Sequence, residues 1–176
     1  MRLLIASDIH GSEFFMRALS ERITEEAPER VILLGDILYH GPRNDLPKDY
    51  SPKGVIALFE EIKTPVSAVT GNCDSEVDDM VLPFSLRERV LRMKDEKFNL
   101  IFHHGHHEIK TVKGDIIFSG HTHVPLFKEE NGRIYVNPGS VSIPKEESHH
   151  GYIIYEDGAC LFKDVTSGEI IRTEVI

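Results

Sequence analysis

The sequence lacks long apolar runs and has few cysteines, and both shortages limit what the protein can be. No apolar stretch approaches the ~20 residues that a membrane-spanning helix needs. The N-terminal apolar stretch stops at Ala6, which is too short for a secretory signal followed by a cleavage site. Two cysteines, Cys73 and Cys160, are too few for a disulfide framework. We therefore expect a soluble, cytoplasmic protein that does not bind membranes.

Basic residues are also scarce. The chain has 20 Lys and Arg against 29 Asp and Glu, which gives a formal net charge of −9. An acidic surface repels polyanions, so we expect no strong binding of nucleic acid. With 176 residues, 40% of them hydrophobic, the chain is too apolar for disorder and has the size of one ordinary domain. We expect a single domain over residues 1–176.

The first half of the sequence alternates predicted strands and helices. The apolar runs RLLIAS, VILLG and PVSAVT predict buried strands. Helices are expected between Ser12 and Pro28 and from about Lys53 to Lys63. This order predicts parallel strands, which carry ligand sites at their C-terminal edge. The loop from Gly41 to Gly54, rich in Pro and Gly, is predicted to be a lid over that site.

The second half changes to short strands separated by turns. ERVLRMK and FNLIFHH flank a KDEK turn and predict an antiparallel hairpin. Further strands are predicted at DIIFSG, RIYVNPG, GYIIYED, ACLFKDV and EIIRTEVI. An α/β protein is therefore expected, with two mixed sheets packed together and helices outside them.

Polar clusters follow the apolar strands at five places, and each cluster alone is better explained by a turn, a helix cap or packing than by a metal site. Together they offer more carboxylate, amide and imidazole groups than one tetrahedral metal ion can bind. This number of ligands suits two ions that share a carboxylate. The absence of a cysteine cluster argues against a structural zinc site. The clusters are Asp8-Ile9-His10, Gly35-Asp36, Gly71-Asn72-Cys73-Asp74, the segment 103–107 (HHGHH) and Gly120-His121-Thr122-His123.

Several strings of the sequence resemble the calcineurin-like metallophosphoesterase superfamily: SDIHG, GDILYHGPRN, GNCDSEVD, HGH, GHTH and NPGSVSIPK. Within it they are most similar to the small bacterial and archaeal phosphodiesterases of the YfcE type. The resemblance implies the αββα metallophosphoesterase fold, in which two mixed β-sheets form a sandwich flanked by helices. It also implies hydrolysis of small phosphodiesters by a hydroxide bound between two divalent metal ions, and a homo-oligomer (dimer or tetramer).

The ligand set that the resemblance implies is complete in this chain. The resemblance implies Mn²⁺ as the metal, while the residue types also suit Ni²⁺, Fe²⁺, Zn²⁺ or Co²⁺. Asp36 would bridge the two ions and act in catalysis, and Asn72 would contact the phosphate as well as a metal. The first ion would be held by Asp8, His10, Asp36 and His123, and the second by Asp36, Asn72, His104 and His121.

The proton donor is where the sequence departs from its relatives. Many members have a histidine, thought to protonate the leaving group, at the position of Cys73, and a thiol is a poorer donor near neutral pH. His40 is either a phosphate contact and alternative acid or a histidine that holds its loop. Arg43 and Asn44 are expected to contact the substrate, and His106 to orient a ligand or the phosphate.

Other features of the sequence are expected to have structural roles. The link between HGH and GHTH is too short for the crossover helix of many relatives, so an extended connection and an open rim are expected. NPGS is predicted to be a tight turn in the cleft floor. Loop or surface positions without chemistry are expected for His103, His107, His149 and His150.

Two other functions remain open at this point. A Vps29-like non-catalytic scaffold for protein binding has the same fold, but degraded metal ligands would be expected of it and every implied ligand is present here. A phosphomonoesterase would need the same two ions, so the ligand set does not distinguish it from a phosphodiesterase.

Overall fold

Eleven strands and three helices make up the computed structural model, which describes residues 1–176. No helix in it is long and apolar enough to cross a membrane. The helices are α1 (Glu13–Glu26), α2 (Pro52–Glu61) and α3 (Glu76–Val81). The strands are β1 (Arg2–Ala6), β2 (Arg30–Leu33), β3 (Val66–Ala68), β4 (Val90–Lys94), β5 (Asn99–His103), β6 (Asp115–Phe118), β7 (Leu126–Glu130), β8 (Arg133–Asn137), β9 (Gly151–Glu156), β10 (Ala159–Asp164) and β11 (Ile170–Val175).

Both sheets are mixed, as predicted. One has six strands in the order β11-β10-β9-β1-β2-β3, in which β1, β2 and β3 run parallel and β9 pairs antiparallel to β1. The other has five strands in the order β4-β5-β6-β8-β7, with β5, β6 and β8 parallel. The predicted hairpin of β4 and β5 is confirmed. Each sheet therefore contains a parallel group whose strands end at one edge.

Two apolar cores hold the layers together. One lies between the sheets and includes Ile5 and Phe102. The other lies between the six-stranded sheet and the helices α1 and α2, where Leu19 and Leu58 pack. Ser12 caps α1 as predicted, because its hydroxyl accepts the backbone N–H of Phe15.

The outer faces of the two sheets are covered in different ways. Helices α1 and α2 pack on the six-stranded sheet. Ile101 and Ile117 alternate with residues of the inner core, and both are buried although they belong to neither core cluster. The extended segment 108–114 lies there, held by hydrogen bonds from Arg92 to the Lys110 carbonyl and from Arg133 to the Thr111 carbonyl. The predicted extended connection is confirmed.

Three local predictions need correction. Helix α2 begins at Pro52, after the cap Ser51, so the predicted lid loop ends there and not at Gly54. Helix α3 was not predicted, because none of its residues is buried and it has no apolar face directed at a core. Strand β7 was missed because it is an edge strand with the mostly charged sequence LFKEE.

A charged cluster joins α1 to the six-stranded sheet and leads to a stability prediction. Glu26 accepts hydrogen bonds from Arg2 (2.6 Å), Tyr152 (3.0 Å) and Lys163. Burial raises the pKa of Glu26, but the bonds from Lys163 and Tyr152 outweigh it and the net pKa is lowered. The stabilisation is therefore present above the unfolded-state pKa of ~4.3 and is lost as pH falls through the folded-state pKa.

We expect Glu26→Gln to lower the free energy of unfolding by about 2 kcal/mol at pH 7, because Lys163 loses its charged partner. The difference from the unmodified protein should narrow below about pH 4, and urea unfolding at both pH values measures it. Glu25→Gln is the matched control, since Glu25 is 61% exposed and pairs only with Arg22. An equal loss in both variants, or a loss independent of pH, would contradict this account.

Candidate metal centre

The polar residues predicted to bind metal meet where the two parallel groups of strands end. Asp8 and Asp36 follow β1 and β2, and His104 follows β5 in the other sheet. Contacts across the junction fix their positions: the Asp8 carboxylate accepts the backbone N–H of His121 (3.0 Å), and His104 Nδ1 lies 2.7 Å from the Leu34 carbonyl oxygen. The C-terminal edges of both sheets therefore form one cleft.

Backbone strain is concentrated in these loops. Positive φ is uncommon outside glycine and clusters at functional sites, where the surrounding structure enforces it. The tight turns that produce it direct the side chains back into the cleft. Five of the predicted ligands have φ between 49° and 67°, namely Asp8, His10, Asp36, His121 and His123.

Three histidines are held in one orientation by backbone carbonyls. Nδ1 of His10 lies 2.8 Å from the Tyr39 oxygen, and Nδ1 of His123 lies 2.7 Å from the Ile143 oxygen. His104 has the equivalent contact to Leu34. A carbonyl can only accept, so each Nδ1 carries a hydrogen and each Nε2 is free to present a lone pair to the cleft.

In the first group of candidate ligand atoms, electron-rich nitrogen and oxygen atoms face one another. Nε2 of His10 and Nε2 of His123 lie 3.3 Å apart. Asp8 Oδ1 lies 3.5 Å from the first and 3.2 Å from the second, and it is a buried oxygen without a hydrogen-bond partner. Two imidazole lone pairs and an unpartnered carboxylate oxygen, all within 4.8 Å of one another, fit a divalent cation.

Asp36 connects this group to a second one. Its Oδ2 lies 3.8 Å from His10 Nε2 and 3.4 Å from His104 Nε2, which is itself 3.0 Å from Asn72 Oδ1. A Cβ at Gly71 would lie 2.1 Å from Asp36 Oδ1, so only glycine permits this close approach of the two loops. One carboxylate is therefore in reach of both groups, as a bridging ligand requires.

The carboxylates and imidazoles of the cluster stabilise each other's charged forms. Burial opposes ionisation of Asp8 and Asp36, but their histidine neighbours lower the pKa of both carboxyls below its ordinary value. Burial likewise disfavours a charged imidazole, but Asp36 outweighs it and raises the pKa of His104 to about 9. The carboxylates thus attract positive charge, which a bound cation supplies.

Two predicted residues lie at the side of this cluster. The ring of His121 is 5.1 Å from that of His104, centroid to centroid, and the ring of His106 is 5.2 Å from it. Burial and the charge of His104 lower the pKa of His106 to about 4, so its ring is neutral near pH 7. His106 also lines a cavity of about 380 Å³ beside the cluster, together with His103, His107 and Arg89.

The predicted lid is fixed at its far end. Ser51 N–H donates to the Gly11 carbonyl and Glu13 N–H to the Asp49 carbonyl, so the freely projecting part is residues 41–47. Arg43 is exposed in this part, with no hydrogen bond or ion pair. Asn44 Nδ2 donates to the His40 carbonyl (2.8 Å) and closes the loop.

His40 immediately precedes this loop, and Cys73 lies close to Gly41, the first residue of the loop. The His40 ring packs edge-on against Tyr39 and Tyr50, and its buried Nδ1 has no hydrogen-bond partner. Cys73 Sγ lies within 4.8 Å of ligand atoms of His10 and Asp36. Burial, with Asp36, raises the pKa of the Cys73 thiol to about 12, so it keeps its proton in this arrangement.

Comparison with known protein families shows which family this chain belongs to. The family model of the calcineurin-like phosphoesterase superfamily domain matches residues 1–157. This chain belongs to the calcineurin-like phosphoesterase superfamily. Members use divalent metals to hydrolyse phosphoesters, which agrees with the Asp and His groups of the cleft.

The relatives of this superfamily member narrow the comparison. Phosphodiesterase YfcE of Escherichia coli is 40% identical over 150 residues, which cover 82% of this chain and 82% of the relative. The solved structure of E. coli YfcE, a phosphoesterase, matches with a TM-score of 0.94 and 35% identity over 100% of both chains. Vps29 of Entamoeba histolytica, solved with zinc, has a TM-score of 0.63 at 18% identity, covering 100% of this chain and 98% of its own, and so shares the fold alone.

Residues outside the predicted set hold the phosphoesterase cleft in shape. Asp74 accepts the backbone N–H groups of Asp36 (2.8 Å), Ile37 (2.8 Å) and Gly71 (2.7 Å). It joins the loop that carries Asp36 to the loop that carries Asn72. The sequence contained a signal for it, because an Asp directly after GNC can accept the N–H groups of a turn.

The NPGS turn is a second support of the cleft. Ser140 Oγ donates to the Asp8 carbonyl (2.7 Å), and Asn137 Nδ2 donates to the Gly120 carbonyl (2.7 Å). These bonds hold the first loop of one sheet and the GHTH loop of the other at a fixed separation. Its predicted place in the cleft floor agrees with these contacts.

Proposed function

We propose that this chain hydrolyses small phosphodiesters and that two divalent metal ions, Mn²⁺ foremost, occupy its cleft. Asp8, His10, Asp36 and His123 would hold the first ion, and Asp36, Asn72, His104 and His121 the second. When bound, such a pair of ions acts as a Lewis acid that activates water and withdraws charge from the phosphoryl oxygens. The observation that carries the proposal is the buried, unpartnered Asp8 Oδ1 facing the Nε2 atoms of His10 and His123.

The chain's own residues would bind and orient the diester. Asn72 is exposed beside His104, and its amide can donate to a phosphoryl oxygen while Oδ1 faces His104. The neutral His106 ring lines the adjoining cavity of about 380 Å³, which we assign to one ester group of the substrate. Arg43, Asn44 and His40 would approach the phosphate from the loop 41–47, where Arg43 offers the free guanidinium.

The leaving alkoxide needs a proton, and two side chains of the chain lie where one can come from. Cys73 Sγ borders the cluster but holds its proton tightly, which makes it a weak donor. His40 has a free Nδ1, although its ring is packed between Tyr39 and Tyr50. We propose that the unmodified chain therefore favours diesters with good leaving groups. We propose that residues 1–176 form a single catalytic domain.

The test is turnover of bis(p-nitrophenyl) phosphate by the chelator-treated protein, with and without added Mn²⁺. We expect hydrolysis only with the metal and a loss of it in Asp36→Asn, which keeps the side-chain volume but removes the bridging charge. Faster turnover of p-nitrophenyl phosphate would favour the phosphomonoesterase. No turnover of either ester with any divalent metal would favour the Vps29-like scaffold.

Asp74 is expected to act as a positioning residue for both ligand loops. In Asp74→Asn, an amide N–H₂ would face at least one of the three backbone N–H groups that the carboxylate accepts. We expect the Mn²⁺ concentration for half-maximal activity to rise about 10- to 100-fold, as for other supports of metal ligands. Activity should recover at saturating Mn²⁺, which a merely unfolded protein could not do. A lower melting temperature with an unchanged Mn²⁺ requirement would contradict the positioning role.

A further inference from the structure

The cavity beside the proposed second ion has a free cationic side chain at its wall. His104 and Arg89 both line this cavity of about 380 Å³, so a group bound at the metal centre can extend to the arginine. Arg89 is exposed, and its side chain forms no ion pair or hydrogen bond. Arg87, two residues earlier, differs because its Nε lies 2.7 Å from Asp79 Oδ2. The Arg89 guanidinium is therefore available for an anionic ligand.

The backbone fixes Arg89 between the two loops that carry ligands of the proposed second ion. On one side, the Glu88 carbonyl accepts the backbone N–H of Thr70 (2.8 Å), two residues before the proposed amide ligand. On the other side, Val90 is the cross-strand partner of His103, which directly precedes a proposed imidazole ligand. Arg89 thus belongs to a connection held at both ends, beside the cleft, and not to a freely projecting loop.

Further basic side chains follow Arg89 along the outer face of the five-stranded sheet. Arg92, Lys94 and Lys110 line the neighbouring cavity of about 450 Å³. The two cavities together are lined by four basic and two acidic side chains, in a chain where 29 acidic residues outnumber 20 basic ones. One of the two acids, Asp115, is buried and accepts a backbone N–H (2.7 Å). This side of the cleft is therefore locally positive and attracts anions.

The remaining wall of the first cavity is polar and gives an apolar ester group little to contact. Val90 and Ile109 are its two aliphatic residues, and four of the other residues are histidines. Glu108 is the one acidic residue there, and it is exposed and forms no ion pair with Arg89. A phosphate gains most from this wall, because its oxygens match the geometry of a guanidinium and its charge is attracted by the basic residues nearby.

We propose that Arg89 is a specificity-determining residue that binds a second phosphate on one ester arm of the substrate. The substrate class is then a phosphodiester in which one of the two alcohols carries a further phosphate. The scissile phosphate would lie at the metal centre, and the added phosphate would accept hydrogen bonds from the Arg89 guanidinium in the adjoining cavity. Arg92 and Lys110 would attract it without direct contact. This inference rests on the proposed function, because that function places the diester at the metal centre.

Two chromogenic esters that differ by one phosphate test the inference. Thymidine 5′-(p-nitrophenyl phosphate) has a neutral nucleoside arm, and its 3′-phosphorylated form adds the second phosphate. Release of nitrophenolate reports cleavage of the diester alone in both. With Mn²⁺, we expect kcat/KM of the unmodified protein to be about tenfold higher for the phosphorylated ester, since a charge-assisted hydrogen bond is lost without it. The difference should lie in KM, because Arg89 does not contact the reacting atoms.

Three variants show whether Arg89 causes this preference. Arg89→Gln should reduce the ratio of the two kcat/KM values to about one, whereas a general structural defect would slow both esters equally. Glu108→Gln should raise the ratio about two- to threefold, because it removes the acidic side chain of the same cavity. Arg87→Gln is the matched control, since that arginine is paired with Asp79, and it should leave the ratio unchanged within about twofold.

Nuclear magnetic resonance gives a readout that does not depend on turnover. In protein loaded with diamagnetic Zn²⁺, thymidine 3′,5′-bisphosphate should shift the Arg89 side-chain Nε–H signal, and thymidine 5′-phosphate should shift it much less. The Arg87 signal should stay in place with both ligands. An Arg89 signal that responds equally to the two ligands would overturn the inference.

The outcomes separate this inference from the function on which it rests. Turnover of neither ester with any divalent metal would contradict the proposed function and the inference with it. Turnover of both esters with equal kcat/KM would overturn the inference and leave the proposed function intact. A preference that survives Arg89→Gln, or that Arg87→Gln abolishes equally, would also overturn it, because the second phosphate would then be bound elsewhere.

Discussion

Asp36→Ala should reduce metal-dependent hydrolysis of a phosphodiester by about 10³-fold or more. Asp36 Oδ2 is the oxygen in reach of both ligand groups, at 3.8 Å from His10 Nε2 and 3.4 Å from His104 Nε2. Without it each proposed ion loses a ligand, and several kcal/mol of charge stabilisation are lost with them. At 1.36 kcal/mol for each factor of ten, this corresponds to the expected rate loss. The measurement is the initial rate with bis(p-nitrophenyl) phosphate, together with elemental analysis of bound metal.

The control for this substitution is Asp45→Ala. Asp45 is an exposed carboxylate of the loop 41–47 and belongs to no group of close ligand atoms. Its removal should leave both rate and metal content within twofold of the unmodified protein, as is usual for surface changes. If Asp36→Ala keeps two bound ions and a near-normal rate, the shared-carboxylate model is wrong.

Cys73→His should accelerate hydrolysis of diesters with poor leaving groups by up to about 10²–10⁴-fold, the usual worth of a general acid. Nitrophenolate departs without a proton, whereas an alkoxide requires one in the transition state. An imidazole with an ordinary pKa of ~6.5 donates near neutral pH far better than a thiol. Cys73 Sγ lies beside the ligand atoms of His10 and Asp36 and is partly exposed. A Cβ on Gly41 would lie 2.9 Å from that sulfur, so an imidazole must turn away from the loop toward the cleft.

The measurement is the dependence of rate on leaving-group pKa for the unmodified protein, Cys73→His and Cys73→Ser. The slope should be shallowest for the histidine variant, and the serine variant should match the unmodified protein because a hydroxyl is also a weak acid. Coinciding slopes for all three proteins would place residue 73 away from the departing oxygen. His40 would then be the side chain to substitute next.

Much of the fold could be predicted from the sequence because its signals are local. The buried strand RLLIA, the Ser12 cap and the hairpin of β4 and β5 each follow from a few neighbouring residues, and the structure confirms them. The absence of a crossover helix between β5 and β6 followed from the length of the link. These predictions did not require knowledge of which distant segments pack against each other.

Features that depend on packing between distant segments were not predictable in the same way. The position of the segment 108–114 depends on hydrogen bonds to Arg92 and Arg133, which lie in other strands of the chain. Helix α3 buries no side chain, so hydrophobic periodicity gives no signal for it. The short length of the predicted lid depends on the backbone hydrogen bonds that join residue 49 to residue 13 and residue 51 to residue 11.

The candidate site was likewise predictable where signals are local and not where packing between the sheets decides. Residue types and their positions after strands indicated where candidate metal ligands would meet, since parallel strands bring such residues to one edge. No local pattern predicted the positive φ of the loops that carry Asp8, His10 and Asp36. The backbone carbonyls that orient three of the imidazoles were likewise not predictable from the sequence. Both properties arise only when the two sheets are packed.

The central claim is that two divalent ions share Asp36, and a stoichiometric titration tests it most directly. Chelator-treated protein at a concentration well above its dissociation constant for Mn²⁺ is titrated with the metal while bound metal and diester hydrolysis are followed in parallel. The account predicts that activity rises until two equivalents per chain are bound and that Asp36→Ala shows neither the second equivalent nor the activity. Full activity at one equivalent, or hydrolysis that persists in excess chelator, would contradict it.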